Sequence, residues 1–209
     1  MNNILAVDFE RPGFDRRMTR DEINEMPIRG YNGTIKLVRT EEELERAVEE
    51  LSMESVLGFD TETRPAYVKG QSYPPALIQL AGAKTVYLIQ LKQLKFPGKL
   101  RKILENKNII KAGVSISFDL QQLKELGPFT EAGFVELADL AKEIGIRNHG
   151  LRGLSAVLLN FRISKGAQRS NWATEELTNK QIRYAATDAW VGRELYLGFK
   201  DMGFVDFRY

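Results

Sequence analysis

From Thr34 onward the hydrophobic pattern changes period in a fixed order, strands first and helices last, and few folds accept that order. Ile35-Lys36-Leu37-Val38 has the composition of a strand. Thr40 followed by Glu43 is a capping box opening a helix with Leu44, Ala47, Val48 and Leu51 as its apolar stripe. Further strands are expected over Val56–Thr63, 76–81 and 85–89, with Gly82-Ala83-Lys84 as a tight hairpin between the last two. A lysine-rich helix over 94–104 precedes a fifth strand over 108–114. Beyond Ser117 the text reads as nearly all helical: 119–126, a segment around 135–144, 151–158, and a long helix from Thr178 to about Phe199. Early antiparallel strands, a late strand and a closing block of helices indicate one mixed α/β domain.

A length of 209 residues suits that single domain plus a short extension. We divide the chain into an extension over 1–30 and a domain over 31–209. Within the extension Pro12-Gly13 marks a turn or loose segment, and Thr19-Arg20-Asp21-Glu22 is a capping box for a short helix that stops before Pro27. The composition, 43% hydrophobic, is enough for a sizeable core. There is no cysteine, which excludes disulfides and thiolate metal sites and points to a reducing, cytoplasmic setting. With a single histidine, any metal site is built mainly from oxygen ligands, which suits magnesium or manganese better than zinc. A net charge of +2 is too small to identify a nucleic-acid partner in bulk, so phosphate affinity has to come from local clusters. No apolar stretch approaches the ~20 residues that cross a bilayer, and Ile4-Leu5-Ala6-Val7 is cut short by Asp8, so neither a membrane partner nor a secretory segment is expected.

Chemistry enters at Leu57-Gly58-Phe59-Asp60-Thr61-Glu62-Thr63. On a strand alternate residues share a face, so Asp60 and Glu62 project together while Phe59 and Thr61 point the other way. Two such carboxylates repel unless a cation lies between them; a strand running out into a charged turn is the other reading. The chain carries a comparison case in Asp8-Phe9-Glu10, the same spacing with no preceding strand or helix to build a sheet around it. In Ile109 to Asp119 a strand runs through a turn into a helix with Asp119 on its first turn, where the helix dipole also favours an acid. Gly113 in that strand leaves room for close approach by another backbone or a ligand. Tyr184 and Asp188, four apart in the last long helix, line one face, while Ala185 and Ala186 leave room for close packing. A Tyr–Asp pair on a solvated helix face has the same spacing.

Taken in order, D-x-E on a strand, an aspartate after a strand and turn, and Y-x-x-x-D on a late helix resemble the DEDD exonuclease superfamily in its tyrosine subclass. The flanking text extends the likeness. Ala76-Leu77-Ile78-Gln79-Leu80-Ala81 is similar to the family's second sheet strand, and Phe134 to Ala141 to its mid-domain helix. Gln168-Arg169-Ser170-Asn171-Trp172, followed by Gln181 to Ala189, is close to the pattern of ribonuclease D and the Werner-type exonuclease domains. The resemblance runs from Thr34 to about Leu197 and implies an α/β fold of the ribonuclease H-like type, a mixed sheet flanked by helices with a helical C-terminal half. It implies a 3′→5′ exonuclease that releases nucleoside 5′-monophosphates from the free 3′ end of single-stranded DNA or RNA. Two divalent ions, Mg²⁺ or Mn²⁺, are implied with it, clamping the attacking and leaving oxygens. In that scheme Asp60 bridges both ions, Glu62 and Asp188 complete the site of the attacking water, and Asp119 serves the second ion. Tyr184 orients the water, a role that its reference pKa of ~10 suits better than strong-base work. The sister subclass has histidine in place of this tyrosine, and the only histidine here, His149, is read as a turn residue beside Gly150.

Substrate contacts are expected at Thr61 and Thr63, through their backbone, and at Phe118, which either stacks on a base or is a core aromatic. The loop from Arg64 to Gly70 lies at the mouth of the expected site, and Arg162, Lys165 and Arg169 form a basic cluster for phosphates. The basic run from Lys92 to Lys111 is read as a solvated face, Trp172 and Trp190 as core, and Glu136 and Asp139 as lying outside the ligand set. Two rival functions share the motifs: a catalytically silent nucleic-acid-binding module of the same fold, and a metal phosphohydrolase acting on small nucleotides.

Overall fold

Strands that are apolar on both faces have to be covered on both sides, and this chain supplies helices for each. The computed structural model describes residues 10–68 and 70–205, so Ile4 to Val7 and the Asp8-Phe9 part of the comparison pair lie outside the described residues. Six strands form one sheet: β1 (Thr34–Val38), β2 (Val56–Thr63), β3 (Pro75–Ala81), β4 (Thr85–Gln90), β5 (Ile110–Gly113) and β6 (Phe134–Glu136). Their order is β1-β4-β3-β2-β5-β6, with β3 antiparallel to both neighbours and the remaining pairs parallel. Gly82 N–H donates to the Thr85 carbonyl at 2.9 Å and closes the expected β3–β4 hairpin. The helices are α1 (Arg20–Glu25), α2 (Glu41–Ser52), α3 (Leu91–Leu94), α4 (Gly98–Leu104), α5 (Ile116–Leu126), α6 (Leu137–Glu143), α7 (Leu151–Leu159) and α8 (Asn179–Asp201).

Alternation along β2 divides the molecule into layers. Leu57 and Phe59 are buried with Leu44, Leu51, Leu100 and Leu123 under α2, α4 and α5. On the opposite face Val56 packs with Ala112 and Val191, and Leu77 and Ala81 of β3 pack with Ala185 and Ala189 of α8. Each fully buried Leu or Phe contributes ~1.5–3 kcal/mol. Capping boxes at Thr19, Thr40 and Thr178 start α1, α2 and α8, because each threonine accepts from the third helical N–H while that residue's side chain returns the bond.

Three expectations are corrected. The lysine-rich helix is two short ones, since Pro97 disfavours helical backbone at the residue before it and Lys95 turns at φ 59°. The segment around 135–144 begins as strand β6, too short at three residues to display a period, before α6 follows directly. Lys111 is wholly buried instead of solvated. Its Nζ donates to the Asn106 and Ile109 carbonyls at 2.7 and 2.8 Å, and burial lowers its pKa to about 8.

Residues 10–30 are tied to the domain. Phe14 is buried beside Val157, Ile28 bridges to Arg162, and Arg162 Nε donates to the Asn24 and Met26 carbonyls, both at 3.1 Å.

Candidate active site

Helix α8 reaches the sheet closely enough to share a site with β2 because Gly58 has no side chain. A Cβ there would stand 1.8 Å from the Ala189 carbonyl oxygen. On β5, Gly113 leaves room for the neighbouring β2, where a Cβ would meet the Phe59 carbonyl at 2.4 Å, and Gly192 of α8 lies over the Ala112 carbonyl. These close approaches bring Asp188 down onto the strand face that carries Asp60 and Glu62. Oxygens of the three carboxylates lie within 4.8 Å of one another, with Asp60 and Glu62 half-buried and Asp188 buried.

Asp119 arrives from the other side of the sheet, on the first turn of α5. Thr61, which alternates away from Asp60, donates its hydroxyl to Asp119 Oδ1 at 2.6 Å. Asp119 thus borders the three-acid cluster without belonging to it. The start of α5 is braced by Glu136, whose carboxylate accepts from the Ser115 and Ile116 N–H groups, both at 2.9 Å, and from Ala138 N–H. Ser115 itself is held at φ 65°, a left-handed conformation that costs a non-glycine residue about 1–3 kcal/mol. Glu136 is therefore a brace, and Asp139 is an ion-pair partner of Lys142.

Tyr184 stands one helical turn before Asp188 and hydrogen-bonds to it. Its ring lies 6.0 Å from the fully buried Trp172. The Gln181 side chain ties the intervening loop to α8 by donating to the Asn171 carbonyl at 3.1 Å. The two segments of the late flanking match are thus one structural unit around the tyrosine.

Electrostatics follow from this crowding. Burial, then the charges of Asp188 and Asp119, push Asp60 well above the carboxylate range; burial and Asp60 do the same to Glu62. Burial raises Asp188 to about 7, against a lowering by the Tyr184 hydrogen bond, and raises Asp119 to about 6. Burial and the neighbouring acids push Tyr184 upward, so its hydroxyl keeps its proton at neutral pH. Asp188 Oδ1 is buried with no hydrogen-bond partner. Converging oxygen donors, mutual repulsion and an orphaned carboxylate oxygen together fit a hard divalent cation.

The cluster forms the floor of a cleft of about 750 Å³. Thr63 sits at a register shift between Glu62 and its neighbour that turns the strand end, a bulge the sequence did not announce. Phe118 is 58% exposed, which removes the core reading and leaves its ring free beside Asp119. Tyr67 and Val68 are exposed in the loop after β2. The expected basic cluster splits: Arg162 is occupied by main-chain carbonyls, whereas Lys165 lines the cleft. His149 lies on the cleft wall with its Nε2 2.7 Å from the Ile146 carbonyl oxygen. Sequence reasoning missed Arg17, Arg20, Arg152 and Gln168, which also line it. The only linear signal for the first two was the arginine-rich run around Thr19.

A family model described as 3′-5′ exonuclease matches residues 35–203. The chain belongs to that family. Its acids and tyrosine make it a DEDD-type member, and the family is one of hydrolases that use divalent metals. The mouse bifunctional 3′-5′ exonuclease/ATP-dependent helicase WRN is 36% identical over 159 residues, 73% of this chain and 11% of that protein. DNA polymerase I of Aquifex aeolicus is 30% identical over 165 residues, 79% of this chain and 27% of that protein. The chain thus spans about a quarter or less of these two relatives. Among solved structures, the Aedes aegypti Nibbler EXO domain superposes with a TM-score of 0.75 at 22% identity, covering 84% of this chain and 93% of that one. Escherichia coli RNase D gives 0.71 at 23%, covering 82% and 45%. These likenesses show the ribonuclease H-like fold.

Proposed function

We propose that this exonuclease-family chain removes nucleoside 5′-monophosphates one at a time from the free 3′ end of single-stranded DNA or RNA. The observation that carries the reading is the convergence of Asp60, Glu62 and Asp188, with Tyr184 against Asp188, on the floor of one cleft. Asp60, Glu62 and Asp188 are the residues that would hold divalent cations, with Asp119 contributing at the edge. Bound there, two such ions, Mg²⁺ or Mn²⁺, supply an acidified water and neutralise charge at the scissile phosphate.

The remaining steps fall to the chain itself. Tyr184 keeps its phenolic proton and orients the attacking water by a hydrogen bond. Thr61 fixes the Asp119 carboxylate, so its own contact with the terminal nucleotide, like that of Thr63, is through the main chain. The exposed Phe118 ring stacks on a base, worth ~1–3 kcal/mol. We read residues 31–209 as the catalytic unit and 1–30 as its extension.

The test uses 5′- and 3′-labelled single strands of DNA and RNA with Mg²⁺, Mn²⁺ or EDTA, beside Asp60→Ala. Stepwise loss from the 3′ end, abolished by EDTA and by the variant, is expected. Metal-independent cleavage, or an unimpaired variant, would overturn the mechanism. Degradation of mononucleotides without regard to polymer length would favour the phosphohydrolase.

A further inference from the structure

The cleft floor is acidic, yet one of its walls is basic, and part of that wall comes from residues before the family match, which starts at 35. Arg17 and Arg20 line the cleft together with Arg152 and Lys165. Among the described residues none of these four is ion-paired, whereas the neighbouring Arg16 is taken by Glu22. Arg17, Arg20 and Lys165 are exposed; Arg152 is half-buried and makes hydrogen bonds only to neutral oxygens, those of Asn24 and Ile163. Burial and then the charges of Arg162 and Arg20 lower the Arg152 pKa, so Arg20 and Arg152 are like charges held near one another on this side of the cleft.

Holding unneutralised arginines together costs free energy, and the scaffold that holds them is firm. The buried Asn148 side chain accepts from Met18 N–H at 2.8 Å and donates to the Met18 carbonyl at 3.1 Å, fixing the chain between Arg17 and Arg20. Asn148 leads directly into the cleft-lining His149 and Gly150. Planar guanidinium groups match phosphate oxygens in pairs, which suits a polyanion better than a single point charge.

Resting on the exonuclease reading, we infer that Arg17 and Arg20 of the N-terminal segment, with Arg152 and Lys165, form a backbone-binding wall. It holds phosphodiesters of the single strand upstream of the 3′-terminal nucleotide. The segment before the family domain is then part of the substrate site. Phosphates attracted to this wall offset the repulsion that the acidic floor exerts on the same strand.

The test compares the full chain with Arg17→Gln/Arg20→Gln. Binding of 5′-fluorescein single strands of two and twelve nucleotides, measured by anisotropy in EDTA, gives the dependence of log K on log salt. Each lost phosphate contact on a single strand reduces that slope by ~0.7, so the double variant is expected to lose about 1.4 and to bind the longer strand several-fold more weakly. In Mg²⁺ its preference for the longer over the shorter strand in kcat/KM is expected to collapse through KM. Arg17→Glu/Arg20→Glu deepens both effects, and Lys99→Gln on α4 changes neither. Both arginines are exposed and outside the described core, so an unchanged melting curve accompanies the loss. A double variant that keeps both the salt slope and the length preference overturns the inference. Failure of the wild-type chain to degrade any strand would strike the exonuclease reading instead, and the slope in EDTA still judges the arginines.

Discussion

A buried carboxylate that cannot ionise comfortably is the residue-level signature of this site. Asp188, Asp119 and Glu62 all have folded-state pKa values above their ordinary ones, chiefly through burial. The sign follows directly: an acid with a raised folded pKa contributes stability below its unfolded pKa of ~4, lost as pH rises through the folded value. The metal-free protein should therefore lose thermal stability as pH climbs from about 5 to 8, spanning Asp119 near 6 and Asp188 near 7. Mg²⁺ or Mn²⁺ should restore it, and melting curves with EDTA and with metal across that range check this. Asp188→Asn carries the same logic into a variant. It should cut activity by ~10²–10³-fold. In EDTA at pH 8 it should melt higher than wild type, by ~2–4 °C for each kcal/mol of repulsion relieved. A variant that melts lower in EDTA would mean that the acids are not in conflict.

Elements set the distances between those residues. Helix α8 crosses β2 only because position 58 is glycine, with backbone instead of a flexible side chain 1.8 Å from where a Cβ would go. Gly58→Ala should cost upwards of ~3 kcal/mol, read as a lower urea midpoint, because backbone cannot give way as a side chain does. Whatever folds should have reduced kcat, since α8 carries Asp188. At the other edge Glu136 serves the α5 start, and Glu136→Ala leaves the Ser115, Ile116 and Ala138 N–H groups without their acceptor. A loss of ~1–2 kcal/mol in denaturation is expected. A fall in kcat should accompany it, because α5 presents Asp119. The D-x-E and Y-x-x-x-D pairs and the capping boxes at Thr19 and Thr40 were legible in the text, since each is a short-range relation among neighbouring residues. The two-helix break at Pro97 and strand β6 were not, because four-, seven- and three-residue elements are too short to show a period and are set by pairing and packing.

At the scale of the whole molecule, the segment 10–30 is joined to α7 and, through an isolated bridge, to Arg162. Phe14→Ala should therefore destabilise the entire domain by ~3 kcal/mol, seen as one cooperative shift in a urea titration. A Phe14→Ala chain with an unchanged midpoint would make the segment a true appendage. Among the described residues no helix is long and apolar enough to cross a membrane. The sequence by itself determined most of the strand and helix order, the shared faces of Asp60 with Glu62 and of Tyr184 with Asp188, and the all-oxygen character of any ligand set. Those are relations of spacing and chemistry along the chain. Only the tertiary structure decided that Asp119 arrives through Thr61 from the opposite layer, that Phe118 is exposed, and that arginines 17 and 20 line the cleft. Each depends on which surfaces meet across more than fifty residues of chain, and no periodicity or motif encodes that.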